Sequence, residues 1–218
     1  MLHIKCPYCG LRSQKEFSYG GDANVKRPKL NTEVTTEEVI AISKDYQFEM
    51  KNYDFTAAGS DLVFEDYKID EKINHIDGIT VEEAEHMMAT KLYQNNAKVH
   101  FNHFVEKGGR FGKRIVYGGH VISLTRSISF NGLSNAFKII AINGGTHASP
   151  CFAGKTVFAW SKIIEKVDVS DTLGALRIRT NGLGDAQPYQ FQHQDQNGKF
   201  NSDVLLSLDY WALVPKKI

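Results

Sequence analysis

Apolar and polar residues alternate through the last third of the chain, and this pattern predicts β-strands. The alternation is clearest near the end, where Leu206, Leu208, Tyr210, Ala212 and Val214 fall on one side of an extended segment. Residues that alternate in this way line one face of a sheet. The strands predicted from the pattern cover residues 137–143, 156–165, 173–180 and 204–214.

A first amphipathic helix is predicted upstream of these strands. Thr80 and Glu83 have the spacing of a capping box, which marks the start of a helix. The apolar residues that follow at helical spacing are expected to form one buried face, and these are Ala84, Met87, Met88 and Leu92. A short strand is expected before this helix, within residues 62–75.

A second helix is predicted from Gly118 to about Asn131, with apolar residues at Val121, Leu124 and Ile128. One long helix followed by four or five long strands indicates the α+β class. We expect an antiparallel sheet wrapped around that helix.

Residue composition divides the chain into three zones. Residues 1–28 contain a Cys-Pro-Tyr-Cys turn and form the first zone. Residues 29–59 are rich in Thr, Glu, Lys and Asp and are interpreted mainly as a linker, although Thr35 and Glu38 have the spacing of a capping box for a short helix. Residues 60–218 hold the large apolar core and are expected to form the main domain.

The overall composition is that of a globular protein, with 42% hydrophobic and 23% charged residues. The formal net charge of +1 gives no global field that would favour nucleic acid or an anionic membrane, so neither is an expected partner. No apolar run reaches the length of a signal peptide or a membrane span. The three cysteines do not make a disulfide framework, so a cytoplasmic location is expected.

The candidate chemistry lies between Asn95 and Ser129. His100 follows the first helix on a polar turn, and Gly118 and Gly119 open the second helix. A histidine transfers protons near neutral pH, and the first N–H groups of a helix have no partners inside the helix. A thioester carbonyl is a substrate that uses both groups.

These residues resemble the MaoC-like dehydratases, hot-dog fold proteins that hydrate or dehydrate acyl-CoA thioesters. The family motif Asp-x-Asn-Pro-(Ile/Leu)-His-x-Asp aligns with residues 95–102, and the later His-Gly aligns with Tyr117-Gly118. The segment GTHASPCFAGKTVFAWSKI matches the family's strand–turn–strand. More narrowly, the segments YDFTAAGS, TVEEAEHMMATKLYQNNAKVHFN and VYGGHVISL resemble the C-terminal half of the double hot-dog mesaconyl-CoA hydratase branch, and the resemblance covers roughly the last three-quarters of the chain.

The resemblance implies an enoyl-CoA hydratase or dehydratase, a lyase that needs no cofactor for its chemistry. His100 would act as acid and base, with Asn95 beside it. Gly118 and Gly119 would donate N–H groups to the thioester oxygen, and Tyr117 and His120 would line the pocket. The basic residues expected to meet the CoA phosphates are Lys107, Arg110, Lys113 and Arg114.

Two departures from the family pattern affect this hypothesis. Asn95 stands where the family has Asp, and an amide does not titrate; Lys155 stands where Gly-Asp is common. The narrower branch also has a first hot-dog repeat, which this chain lacks. We therefore expect a homodimer or a hot-dog partner chain, and the alternative function is an impaired accessory subunit that binds acyl-CoA or completes a partner's sheet.

Simpler interpretations of the same residues stay open. His100 is an ordinary polar residue in one of them, Gly118-Gly119 is a tight turn, and the basic run from Lys107 is a solvated face. The motif order favours the active-site interpretation for His100.

Residues 1–28 resemble the start of the sarcosine oxidase delta subunit, a small zinc-binding subunit. This implies a zinc-ribbon-like segment in which Cys6 and Cys9 are metal ligands. A structural zinc site takes four ligands, and an obvious second pair is absent. A redox role for the two cysteines is less favoured, because no thioredoxin-like strand and helix follow.

Overall fold

The computed structural model describes residues 33–46, 50–190 and 193–217, together with the backbone of residues 3–5 and 12–14. The chain divides into two compact units, Met1–Asn31 and Thr32–Ile218. In the first unit, β1 (His3–Lys5) pairs with β2 (Arg12–Gln14) in antiparallel fashion. Cys6 and Cys9 lie outside the described residues, so the zinc site stays a prediction.

The second unit is built on a five-stranded sheet. Its strands are β3 (Lys72–Thr80), β4 (Lys138–His147), β5 (Thr156–Asp168), β6 (Leu173–Gly184) and β7 (Val204–Pro215). The order across the sheet is β3-β5-β6-β7-β4, and every neighbouring pair is antiparallel. Strands β3 and β4 therefore form the two edges.

The helices precede or connect these strands. They are α1 (Thr36–Ser43), α2 (Phe55–Ala58), α3 (Glu83–Leu92), α4 (Lys98–Phe101), α5 (His103–Glu106), α6 (Gly118–Ile128) and α7 (Phe130–Leu133). Three 3₁₀ turns occupy Met50–Asn52, Phe64–Asp66 and Pro188–Gln190. None of the helices in the described part of the chain is long and apolar enough to cross a lipid bilayer.

Helix α6 packs on the inner face of the sheet. Its buried residues Val121, Thr125 and Ile128 recur at helical spacing and face the core. Gly182 on β6 permits this approach, because a Cβ there would lie 2.5 Å from the Thr125 hydroxyl oxygen. Most of the inner face is apolar, and α6 contacts strands β3, β5, β6 and β7. The predicted antiparallel sheet around a helix is confirmed.

The four predicted strands are confirmed; β4, β5 and β6 extend three or four residues beyond their predicted ends, and β7 extends one. Strand β4 continues to His147 and β6 continues to Gly184, because both remain paired with their neighbours. The strand expected within residues 62–75 begins only at Lys72, after the 3₁₀ turn at Phe64–Asp66.

The predicted cap at Thr80 is wrong. Thr80 is the last residue of β3 and pairs with Thr156, and the two hydroxyl oxygens lie 2.9 Å apart. Helix α3 therefore begins later, at Glu83, and the preceding Glu82 supplies no side-chain cap. Strand pairing has fixed the threonine that would otherwise cap the helix.

The predicted buried face of α3 is also wrong. Met88 and Leu92 are 69% and 71% exposed, whereas His86 and Thr90 are buried. The two buried side chains make polar contacts within α3 itself: the His86 Nε2 atom lies 3.1 Å from a Glu83 oxygen, and the Thr90 hydroxyl donates to the His86 carbonyl. The apolar row at positions 84, 88 and 92 faces outward in this chain.

Part of the predicted linker is folded onto the sheet. Helix α1 has the expected capping box, in which Thr35 and Glu38 exchange hydrogen bonds. Val39 is fully buried on the outer face of the sheet against Val167, Ala175 and Trp211. This packing differs from a linker, because residues 33–46 bury apolar surface as part of the second unit.

A row of buried hydrogen bonds crosses the inner face. The His75 Nδ1–H donates to the carbonyl of Asn131 at 2.6 Å, so Nε2 accepts from the Ser161 hydroxyl at 2.8 Å. Ser161 accepts from Thr180 at 2.8 Å, and Thr180 accepts from Tyr210 at 3.1 Å. One residue from each of β3, β5, β6 and β7 is thus satisfied without water.

The stability of the fold is predicted to decrease below pH 6.5 because of His75. Burial lowers the pKa of His75 to about 4, so between pH 6.5 and 4 the unfolded chain binds a proton that the folded chain does not. The share of stability from His75 is complete above pH 6.5 and is lost by about 1.4 kcal/mol per pH unit as pH falls, or about 2 kcal/mol at pH 5.

Urea denaturation at pH 7 and pH 5 tests this prediction. We expect His75→Gln to be destabilised at pH 7 and to lose much of the pH dependence of the parent chain. His103→Gln, at an exposed position on α5, is the control. Equal pH dependence in the parent and His75→Gln would contradict the prediction.

Candidate active site

Two backbone hydrogen bonds fix the segment just before α6. The N–H of Ile115 donates to the Val99 carbonyl at 3.1 Å, and the N–H of Val116 donates to the Cys151 carbonyl at 2.9 Å. The first bond ties this segment to α4, and the second ties it to the turn after β4. Three parts of the chain that are distant in sequence therefore meet at the start of α6.

His100 lies half-buried on α4 beside this segment. Its Nδ1 atom is 2.9 Å from the Ile115 carbonyl oxygen, which only accepts, so the neutral ring carries its proton on Nδ1. This leaves Nε2 with a lone pair that can take a proton. The Tyr117 ring packs edge-on against the imidazole, with 5.8 Å between the centroids.

The first turn of α6 is free of a side-chain cap. Tyr117 holds the N-cap position and makes no capping hydrogen bond. Its ring folds over Gly119, where a Cβ would approach it to 2.5 Å. The first N–H groups of a helix have no intrahelical acceptor and carry the positive end of its dipole, so this turn can bind an anionic oxygen.

A second histidine, which the sequence interpretation missed, lies at the same place. The imidazole of His147 is packed against Gly118, where a Cβ would lie 2.7 Å from its Nε2 atom. The pKa of His147 is lowered by partial desolvation of its ring and then by the charge of His100. Only its position inside the aligned strand–turn–strand segment, shortly after the strand predicted at residues 137–143, could have drawn attention to it.

His120 is held by helix α3. Its Nε2 atom lies 2.6 Å from a carboxylate oxygen of Glu85. Arg114 is paired in the same way with Glu83 and also donates to the Phe101 carbonyl. Arg114 is therefore used inside the domain, whereas the sequence interpretation had it free to meet a phosphate.

The other predicted cations are exposed and lie over aromatic rings. Lys107 is 4.7 Å from the Phe104 ring centroid, Arg110 is 5.0 Å from that of Phe111, and Lys113 is 4.4 Å from that of Phe152. Phe111 and Phe152 contact each other edge to face at 5.4 Å. This surface has the groups that a nucleotide phosphate and base would contact.

Asn95 has a local structural contact. Its side-chain oxygen accepts from the N–H of Ala97 at 2.9 Å, and its own N–H donates to the Thr90 carbonyl. It lines a small apolar pocket with Met87 and Phe101. The amide oxygen thus shapes the turn before α4, and the NH₂ group makes no hydrogen bond within the described part of the chain.

Lys155 also has a structural contact. Its ammonium group pairs with Asp185 at 2.9 Å, and Asp185 accepts from the N–H of Thr156. Across the described ranges of the chain, no group of three or more His, Cys, Asp or Glu side chains could hold a metal ion.

The chain matches two curated proteins over most of its length. It is 50% identical over 181 residues to the beta-methylmalyl-CoA dehydratase of Chloroflexus aurantiacus, which covers 82% of this chain and 51% of that protein. It is 52% identical over 191 residues to the mesaconyl-CoA hydratase of Cereibacter sphaeroides, covering 87% and 53%. The chain spans about half the length of each relative.

A solved structure of a MaoC domain protein dehydratase from Chloroflexus aurantiacus superposes with a TM-score of 0.83 and 44% identity, covering 95% of this chain and 59% of that one. The predicted resemblance to the MaoC-like dehydratases is confirmed.

A protein of Mycobacterium tuberculosis with a double hot-dog fold superposes with a TM-score of 0.53 and 18% identity, covering 77% of this chain and 46% of that one. The predicted hot-dog fold is confirmed as well.

The N-terminal resemblance is confirmed by a family comparison. Residues 3–56 match the model described as "Sarcosine oxidase, delta subunit family". The match covers all but the first two residues of the 1–28 segment and reaches through most of the predicted linker, residues 29–59. The chain thus joins a segment similar to one family to a MaoC-like hot dog.

Substituting Gly118 is predicted to displace His147 with little effect on stability. Gly118→Ala adds a methyl group 2.7 Å from the imidazole, but the ring can rotate away, and Ala favours the helix by about 0.5–1 kcal/mol. We expect unfolding free energy within about 1 kcal/mol of the parent and an altered NMR titration of the His147 ring.

The His147 signal is assigned by its loss in His147→Gln. The matched control is Ser123→Ala at an exposed position of the same helix, which is expected to leave the titration unchanged. An unchanged His147 titration in Gly118→Ala would show that the ring does not lie against the start of α6.

Proposed function

We propose that this chain adds or removes water across the 2,3 bond of an enoyl-CoA thioester that resembles mesaconyl-CoA. The observation that carries the proposal is the placement of His100 beside the uncapped start of α6. The Ile115 carbonyl fixes the tautomer of His100, so Nε2 is available as a base. The names and sequence identity of the two curated relatives support a CoA thioester as the substrate class.

The reaction requires groups that take a proton from water, deliver a proton to the α-carbon, and stabilise charge on the thioester oxygen. His100 Nε2 takes the proton from water in the hydration direction. The N–H groups of Gly118 and Gly119 donate to the thioester oxygen. The absence of a Cβ at Gly118 leaves room for the His147 ring beside them. No cofactor takes part in this scheme.

The remaining site residues have binding roles in the proposal. Tyr117 and His120 line the pocket, and Glu85 orients His120. Asn95 orients the water through its NH₂ group, because its oxygen is used in the turn. Lys107, Arg110 and Lys113 contact the CoA phosphates from their exposed positions.

A hydratase assay tests the proposal. Purified full-length chain is incubated with crotonyl-CoA and mesaconyl-CoA, and loss of the enoyl thioester absorbance is followed. We expect turnover by the parent and a decrease of about 100-fold or more in His100→Ala, the size of effect that general acid–base catalysis supports. His193→Ala is the control, since His193 packs against Trp160 on the outer face of the sheet.

The accessory-subunit alternative predicts a different outcome of the same assay. A chain that binds CoA but turns over neither substrate would support that alternative. A chain that neither binds CoA nor turns it over would contradict both functions.

We also propose that a second hot dog completes the site, supplied by a second copy of this chain or by a partner chain. The chain spans half of its relatives, and a groove of about 960 Å³ runs along α6 between β3 and β4. Apolar side chains beside it are exposed, including Phe130 at 54% and Ile142 at 58%. Exposed apolar surface beside an open sheet edge favours association.

Light scattering coupled to size exclusion tests the homodimer. We expect a dimer whose dissociation constant increases at least tenfold in Ile142→Lys, because a charge on β4 would then be buried at the interface. Ile76→Lys changes the same residue type on the opposite edge strand, where Ile76 is 72% exposed, and is expected to remain dimeric. A monomeric parent would exclude the homodimer and favour a separate partner chain.

A further inference from the structure

His147 lies beside the start of α6, next to the position proposed for the substrate carbonyl. It is the last residue of β4, and its pairing with Leu206 on β7 fixes its position along the sheet edge. Its imidazole packs against Gly118, with the position of a Cβ 2.7 Å from Nε2 and 2.9 Å from Cε1. A substrate bound at the start of α6 would therefore lie next to this ring.

His147 and His100 are electrostatically coupled. Partial desolvation and then the charge that His100 carries when it is protonated lower the pKa of His147, so His147 gives up a proton more readily. Two neighbouring titratable groups in different environments can divide the roles of acid and base between them.

Other nearby groups are less suited to deliver a proton. Asn95 does not titrate, and its oxygen is engaged with the Ala97 N–H. His120 is held by Glu85, and Cys151 is buried with its pKa raised to about 11. The hydroxyl-bearing ring of Tyr117 packs over Gly119. Among the described side chains at this place, His147 is the titratable one that lies against the start of α6 without a fixed acidic partner.

We propose that His147 is the second proton-transfer residue of the hydratase reaction and takes the place of the carboxylate that Asn95 replaces. In hydration, water attacks the β-carbon and forms the new C–O bond while its proton passes to His100 Nε2. The π electrons form a C–H bond at the α-carbon with the proton of His147. Proton exchange with solvent then returns both histidines to their starting states, and dehydration is the reverse.

This inference depends on the proposed function, and the same assay separates their failures. We expect kcat for hydration to fall about 100-fold or more in His147→Gln, with KM changed by only a few-fold. Thr146→Ala, next to it on the exposed strand edge, is the control and is expected to retain the parent rate. Circular dichroism and thermal melting of His147→Gln and His147→Ala report whether the variants remain folded.

Two further measurements identify proton transfer rather than a structural role. Asn95→Asp is expected to raise the rate about tenfold or more in the His147→Gln background, and clearly more than in the parent, because it restores a titrating group. Added imidazole is expected to raise the rate of His147→Ala in a concentration-dependent manner, and not that of Thr146→Ala.

The outcomes are distinct. An inactive parent chain would overturn the proposed function and this inference with it. If the parent is active and the rate of His147→Gln is within three-fold of the parent rate, only the inference is overturned, because a three-fold change corresponds to a barrier difference of only about RT. A large loss in folded His147 variants that neither Asn95→Asp nor imidazole restores would also overturn proton transfer by His147.

Discussion

The burial of one side of α6 against the inner face of the sheet is the constraint on which the rest of this domain depends. Val121, Thr125 and Ile128 can reach the core only if the sheet curves around the helix and β6 carries Gly182 opposite Thr125. With the helix held along its length, its first turn has a fixed position and direction. The two backbone bonds of Ile115 and Val116 then bring α4 and the turn after β4 to that position.

The polar groups of the domain follow from the same packing. On the inner face, four strands each contribute one residue to a hydrogen-bonded row that ends at His75, and burial without water keeps that histidine neutral. At the start of α6, His100 contacts Tyr117, and the exposed His147 packs against Gly118, so neither ring is enclosed as His75 is. The environment, and not the residue type, gives these histidines different behaviour.

Apolar surface is exposed at the edges of the domain. The chain spans about half the length of its curated relatives. Among the described residues, no strand pairs with the outer side of β3 or β4, and apolar side chains of β4 and of the segment after α6 are exposed beside a groove. The apolar row of α3 that sequence periodicity assigned to the core faces outward as well. When the apolar side of a helix or strand is not covered within its own unit, that surface can bind another protein unit.

Sequence by itself determined the elements whose pattern is dictated by local burial. The strands β4 to β7, helix α6 and the capping box of α1 follow from periodicity and spacing, and His100 and Gly118 follow from motif order. The tertiary structure decided what depends on neighbours distant in the chain. Thr80 pairs with a neighbouring strand and does not cap a helix, and packing against α6 determines which side of α3 is buried. Arg114 pairs with Glu83, and the register of the sheet places His147 against Gly118. Periodicity reports that a side is buried, but contacts between distant segments determine which side, and which polar groups then meet.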